Sequence, residues 1–76
     1  MDWRHLDLSI ELTKPQEETV KLLASSLSYK QIAEKRGINY RSVQDMLMRL
    51  YRKTGARDRF ELAVWAYKTG LVNDSI

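Results

Sequence analysis

Four times in a chain of 76 residues, an N-cap residue is followed three positions later by a side chain able to reach back to it: Thr13 with Gln16, Ser28 with Gln31, Asn39 with Ser42, and Asp58 with Glu61. Each pair opens a stretch of helical apolar spacing. Thr13–Gln16, Ser28–Gln31 and Asp58–Glu61 read as full capping boxes, while Asn39–Ser42 rests mainly on the Asn cap. The three glycines, Gly37, Gly55 and Gly70, fall where the preceding helices should stop, and Pro15 falls in a first turn, where its missing N–H costs little. This punctuation predicts four helices, over 14–25, 29–36, 40–53 and 59–69, and hence a small all-α domain. Strand-like alternation is absent from the sequence.

Apolar spacing supports the same division. Val20, Leu23, Ala24 and Leu27 recur at i, i+3, i+4 and i+7 in the first helix, and Val43, Met46, Leu47 and Leu50 do so in the third. Both stripes are expected to face one shared core. The second helix offers only Ile32 and Ala33, so it must lie across the others to be stable. A content of 43% hydrophobic and 30% charged residues is that of an ordinary folded domain. At this size one core leaves about 3–5 kcal/mol of net stability. With no cysteine, neither disulfides nor thiolate metal sites add to it. The expected organisation is an N-terminal arm over residues 1–11 and one domain over 12–76, with a short tail from Val72 to Ile76.

The fourth helix differs from the rest, because Phe60, Leu62, Ala63, Val64, Trp65, Ala66 and Tyr67 make it apolar on nearly all sides. One side can face the core, and another needs cover. A second copy of the chain is the expected cover, with Leu62, Trp65, Ala66 and Thr69 along the seam and Trp65 or Tyr67 as an anchor. The alternative is that residues 1–12, which include Trp3, Leu6, Leu8 and Ile10, fold back over the helix.

The chemistry open to the chain is narrow. Its one histidine, His5, lies near a terminus, where a catalytic triad would be poorly held. Zinc sites lack ligands, and three scattered glycines cannot form a phosphate-binding loop. A short helical chain also has little room for a substrate cleft. No catalytic activity, metal or cofactor is expected. The longest apolar run, Leu62 to Tyr67, is far short of a membrane span, and the first residues lack the apolar segment of a signal peptide. A cytoplasmic protein without a membrane partner is the expectation.

Charge points more positively. The formal net charge of +3 is unevenly spread: residues 29–59 carry nine basic side chains against three acidic ones, whereas residues 1–28 carry three against five. Clustered positive charge attracts phosphate through counterion release. Within that segment the second and third helices are joined by Gly37, Ile38 and Asn39, the local plan of a helix-turn-helix with Ile38 plugging the elbow. The second helix of that motif enters the major groove. With its apolar stripe turned inward, the third helix presents Tyr40, Arg41, Gln44, Asp45, Met48, Arg49 and Arg52 outward. Gln44 suits adenine, Arg41 or Arg49 suits guanine or phosphate, and Met48 suits a thymine methyl group. Asp45 repels phosphate unless it accepts from a cytosine amino group or pairs with Arg41 or Arg49.

A longer pattern runs through these residues. Leu12-Thr13, Val20 to Ala24, Ser28 to Ala33, Ile38 to Val43, Lys53 to Leu62 and Gly70-Leu71-Val72 together resemble the LuxR/GerE-type helix-turn-helix domain over about four-fifths of the chain. The resemblance implies a bacterial-type transcription regulator with four helices, binding double-stranded DNA through the third and pairing with a second copy through the fourth. It also matches Lys30 to a phosphate-touching position, Ser42 to the start of the recognition helix, and Gln44, Asp45 and Met48 to positions that approach base edges. The base-contacting set is then Arg41, Gln44, Asp45 and Met48, and the phosphate-contacting set is Tyr29, Lys30, Tyr40, Ser42, Arg49, Arg52 and Lys53.

Several positions depart from that family's habits. Pro15-Gln16 replaces Arg-Glu, Ser26 replaces a glycine, and Thr54-Gly55-Ala56 replaces Leu-Gly-Val. Asp45 and Met48 occupy base-facing places often filled by Lys, Arg or small residues, so the preferred site should differ from the family's common one. Neither a receiver nor a ligand-binding part is expected ahead of the domain, which leaves expression level, dimerisation or a partner as the expected control. Two other readings stand beside a stand-alone homodimeric regulator. One is a degenerate domain that pairs with and blocks another regulator, and the other is a module like sigma-factor region four, which touches RNA polymerase as well as DNA.

Overall fold

The computed structural model describes residues 2–73 and contains four helices, α1 (Lys14–Ala24), α2 (Tyr29–Arg36), α3 (Tyr40–Thr54) and α4 (Arg59–Lys68), with no strand among the described residues. Met1 and the last three residues of the tail, 74–76, lie outside that range. Each helix begins at the residue its cap predicts. At Thr13 and Ser28 the full boxes form: the cap oxygen accepts from the N3 backbone, and the glutamine side chain accepts from the cap N–H at 2.9 Å in both. Asn39 accepts from the Ser42 N–H at 2.8 Å with no return bond.

The Asp58–Glu61 pair corrects the expectation of a third full box. Asp58 accepts from the Glu61 N–H at 2.9 Å, but the Glu61 carboxylate turns to the N–H of Arg57 at 2.8 Å instead of that of Asp58. The reason is its surroundings. Glu61 is buried and takes donors from two other groups, the Arg57 guanidinium at 3.1 Å and His5 Nε2 at 2.8 Å. Hydrogen bonds from the Arg57 guanidinium, then from the Arg57 backbone, then from His5 hold its carboxyl down at about 2, so it stays ionised.

Helix ends follow the glycines. Gly37 takes the left-handed conformation, and the N–H groups of Gly37 and Ile38 return to the carbonyls of Glu34 and Ala33, closing α2 in a Schellman motif. Ile38 then turns, half-buried, against the core. After α1 the same left-handed region is occupied by Ser26, at φ 68°, where a side chain is strained.

α1 lies mainly against α4, and α2 mainly against α3. Val20, Leu23, Ile32, Val43, Leu47, Leu50 and Leu62 meet in the centre, each almost fully removed from solvent. α2 contributes only Ile32 and Ala33 to that core, as its sequence predicts. No helix among the described residues is long and apolar enough to cross a membrane.

The cover of α4 is supplied by the chain itself, which corrects the expected seam. Leu62, Trp65 and Ala66 are 0%, 3% and 0% exposed, so none of them is available to a second copy. Thr69 is exposed, but its hydroxyl donates back to the carbonyls of Trp65 and Ala66. The arm does the covering. Leu6 enters the core, the Trp65 indole N–H donates to the Asp7 carbonyl at 2.7 Å, and the Asp7 N–H donates to the Thr54 carbonyl at 2.7 Å. The arm passes so close to Gly55 that a Cβ there would lie 2.3 Å from the His5 carbonyl oxygen. Glycine is required at this position by contact as well as by its φ of 81°. What α4 leaves open is a different stripe, Phe60 and Tyr67, 62% and 48% exposed, with the half-buried Ala63 and Val64 between them.

Two outcomes follow for urea unfolding monitored by helical circular dichroism. Ser26→Gly should raise stability by about 1 kcal/mol by removing the left-handed strain, and a fall would show that the turn tolerates the side chain. Trp65→Ala should cost about 3–5 kcal/mol, while Phe60→Ser stays well under about 1 kcal/mol. Equal costs would contradict the assignment of the two faces of α4.

Candidate nucleic-acid interface

Burial of Val43, Leu47, Leu50 and Thr54 on one side of α3 leaves the other side wholly exposed. That outer side carries Tyr40, Arg41, Gln44, Asp45, Met48, Arg49 and Arg52, all exposed. Gln44, Asp45, Met48, Arg49 and Arg52 line one shallow surface depression. The base-facing set read from the sequence is therefore contiguous, and Met48, 55% exposed, offers an apolar contact in the middle of polar neighbours. Asp45 sits 3.8 Å from Arg41, one helical turn away, a loose and exposed pairing that contributes little stability. It does reduce the net positive charge of the patch.

The expected phosphate contacts separate into three groups. Lys30, Arg49 and Arg52 are exposed and make no hydrogen bond or ion pair among the described residues. Lys53 is drawn toward the first turn of α1, its Nζ 3.4 Å from Gln16 Oε1, and Ser42 is half-buried with its N–H held by Asn39. Tyr29 and Tyr40 pack ring against ring at 6.3 Å, with Tyr29 half-buried and Tyr40 exposed.

Counting charge along the sequence overstates what is free for a ligand. Three of the nine basic residues in segment 29–59 are committed to the fold. Arg36 donates to the Pro15 carbonyl and to Glu18 at 3.0 Å each, joining α2 to α1. Arg57 pairs with Glu61, and Arg59 donates to the carbonyls of Leu23 and Leu27 at the end of α1. Lys30, Lys35, Arg41, Arg49, Arg52 and Lys53 remain exposed. Four of these six lie on α3, so the free charge is concentrated on the helix that also presents Gln44 and Met48.

One residue of this region escaped the sequence reading. The Tyr51 hydroxyl lies 3.0 Å from that of Tyr29, on the flank of α3 that faces α2. Burial, reinforced by the Tyr29 contact, raises the Tyr51 phenol above its usual range, so it keeps its proton. Its separation from Tyr29 is 22 residues, and no local spacing marks the pair.

No family model matches the chain, and neither the search of curated proteins nor that of solved structures returned a match. The functional reading therefore rests on residue chemistry and geometry, with the resemblance noted above beside them.

Proposed function

We propose that the chain is a sequence-specific DNA-binding protein of the transcription-regulator kind, inserting α3 into the major groove of duplex DNA. The observation that carries this reading is the division of α3: one face is core, and the other gathers Arg41, Gln44, Met48, Arg49 and Arg52, with Gln44, Arg49 and Arg52 making no hydrogen bond or ion pair among the described residues. The tight connection through Gly37 and Ile38 sets α2 beside α3, with Lys30 and Tyr29 in the first turn of α2, where a phosphate is electrostatically favoured. The LuxR/GerE-type resemblance supports the same reading. In this reading Arg41, Gln44 and Met48 read base edges, while Lys30, Arg49 and Arg52 hold phosphate. The protein acts in the cytoplasm, where its DNA would be.

Pairing with a second copy belongs to this reading at a revised place. The stripe Phe60, Ala63, Val64 and Tyr67 runs at i, i+3, i+4 and i+7 along the open side of α4. An antiparallel partner helix sets Phe60 against Tyr67 twice and opposes the helix dipoles, a self-complementary arrangement suited to two-fold symmetry. A second reading, in which the same stripe binds and blocks another regulator, is favoured by one feature, the partial neutralisation of Arg41 by Asp45.

Fluorescence anisotropy of labelled duplexes over a range of salt tests the DNA contacts. Lys30→Ala should weaken every sequence alike and lower the slope of log affinity against log salt by about one. Gln44→Ala should instead lose about 1–3 kcal/mol at one base pair of the preferred site and little elsewhere. Equal loss across all sequences for Gln44→Ala would remove it from the base-reading set.

A further inference from the structure

The tyrosine pair leaves one proton without a protein acceptor. Tyr29 opens α2, Tyr51 comes from the flank of α3, and their hydroxyl oxygens are 3.0 Å apart. Each phenol has one proton to give, and a pair uses only one of them. Tyr51 has no hydrogen-bond acceptor other than Tyr29 among the described residues, and the charged groups near it, Arg59 and Asp58, make no hydrogen bond to it. Arg59 is a donor only and is already held by the carbonyls of Leu23 and Leu27. Either phenol can donate to the other, and the arrangement in which Tyr51 donates to Tyr29 leaves the Tyr29 proton for a ligand at the start of α2. In that arrangement the proton left over belongs to a residue that opens α2 next to the exposed Lys30 in sequence and packs its ring against that of the exposed Tyr40.

We propose that Tyr29 donates this proton to a backbone phosphate of bound duplex DNA, and that Tyr51 is the positioning residue that fixes the Tyr29 phenol for the contact. The proposal rests on the DNA-binding reading: Tyr29 is already among its expected phosphate contacts, and what is added is Tyr51 as the residue that positions it. Three features make phosphate the fitting acceptor. It is an anion that takes short charge-assisted bonds from O–H donors, the exposed Lys30 adds a positive charge in the same first turn of α2, and the Tyr29 ring packs against that of Tyr40 at 6.3 Å. Because the phenol is neutral, the contact releases no counterion. That separates its signature from the one expected of Lys30.

The test uses the parent protein with Tyr29→Phe, Tyr51→Phe and the double variant, each titrated with a specific and an unrelated duplex over a range of salt, with thermal midpoints taken in parallel. Tyr29→Phe should weaken both duplexes about ten-fold with an unchanged salt slope, the size and signature of one charge-assisted hydrogen bond from a neutral donor. Tyr51→Phe should weaken both duplexes in the same direction. The double variant should be no weaker than Tyr29→Phe alone, since Tyr51 acts through Tyr29. Parental affinity in Tyr51→Phe, or losses that add in the double variant, would overturn the positioning role while leaving DNA binding intact. Losses that follow the thermal midpoints and alter the salt slope would assign the pair to folding alone. Failure of the parent protein to bind either duplex would overturn the DNA-binding reading and the proposal with it.

Discussion

Val43, Leu47 and Leu50 are the side chains that fix the rotation of α3, each no more than 1% exposed between the helices packed around it. Turning α3 by a quarter of a revolution would bring part of that stripe to the surface and drive Gln44 or Arg49 toward the core. Burying one such aliphatic side chain is worth about 1.5–3 kcal/mol, and an unpaired buried charge costs more, so several kcal/mol oppose the rotation. The outer face of α3 is thus set by the core rather than by its own residues. Arg41, Gln44, Met48, Arg49 and Arg52 can vary without disturbing the fold, which is the freedom a recognition surface needs.

The same economy explains the arm. A domain of this size has a thin core, and α4 carries more apolar surface than three helices can cover. Residues 2–12 make up the difference through Leu6, the Trp65–Asp7 hydrogen bond and the His5–Glu61 contact. Glu61 is held by Arg57 on one side and by His5 on the other, so a buried carboxylate becomes the point where the α3–α4 connection and the arm are joined. The stripe of Phe60 and Tyr67 stays 62% and 48% exposed although the Trp3 ring of the arm packs against Phe60 at 6.1 Å, so a partner chain on this stripe would meet Trp3 as well.

Local signals were legible in the sequence, and contacts between distant residues were not. Helix starts are legible from caps that act within three residues, and the stops of α2 and α3 from glycines in the left-handed backbone, whereas α1 ends at Ser25 and Ser26 without a glycine. The outward face of α3 was legible too, because periodicity fixes one face once the other is buried. The cover of α4 could not be read, since hydrophobicity reports that a surface needs burial without saying what buries it. Leu62, Trp65 and Ala66 therefore read as a seam from the sequence although the fold buries them. The Glu61 box failed because its carboxylate answers to His5, 56 residues away. Arg59 reads as free charge in the sequence because its carbonyl partners lie 36 and 32 residues away. Tyr51 has the same explanation, since its role depends on the crossing of α2 and α3.

The measurement that bears most directly on the proposed function is selection of bound duplexes from a random DNA pool by the purified protein near physiological salt. Enrichment of a defined half-site is the expected result, arranged as an inverted repeat if two copies pair through the Phe60–Tyr67 stripe. Recovery of a random pool, with retention that is weak and lost on adding salt, would contradict recognition by α3 and leave its basic face as a non-specific surface.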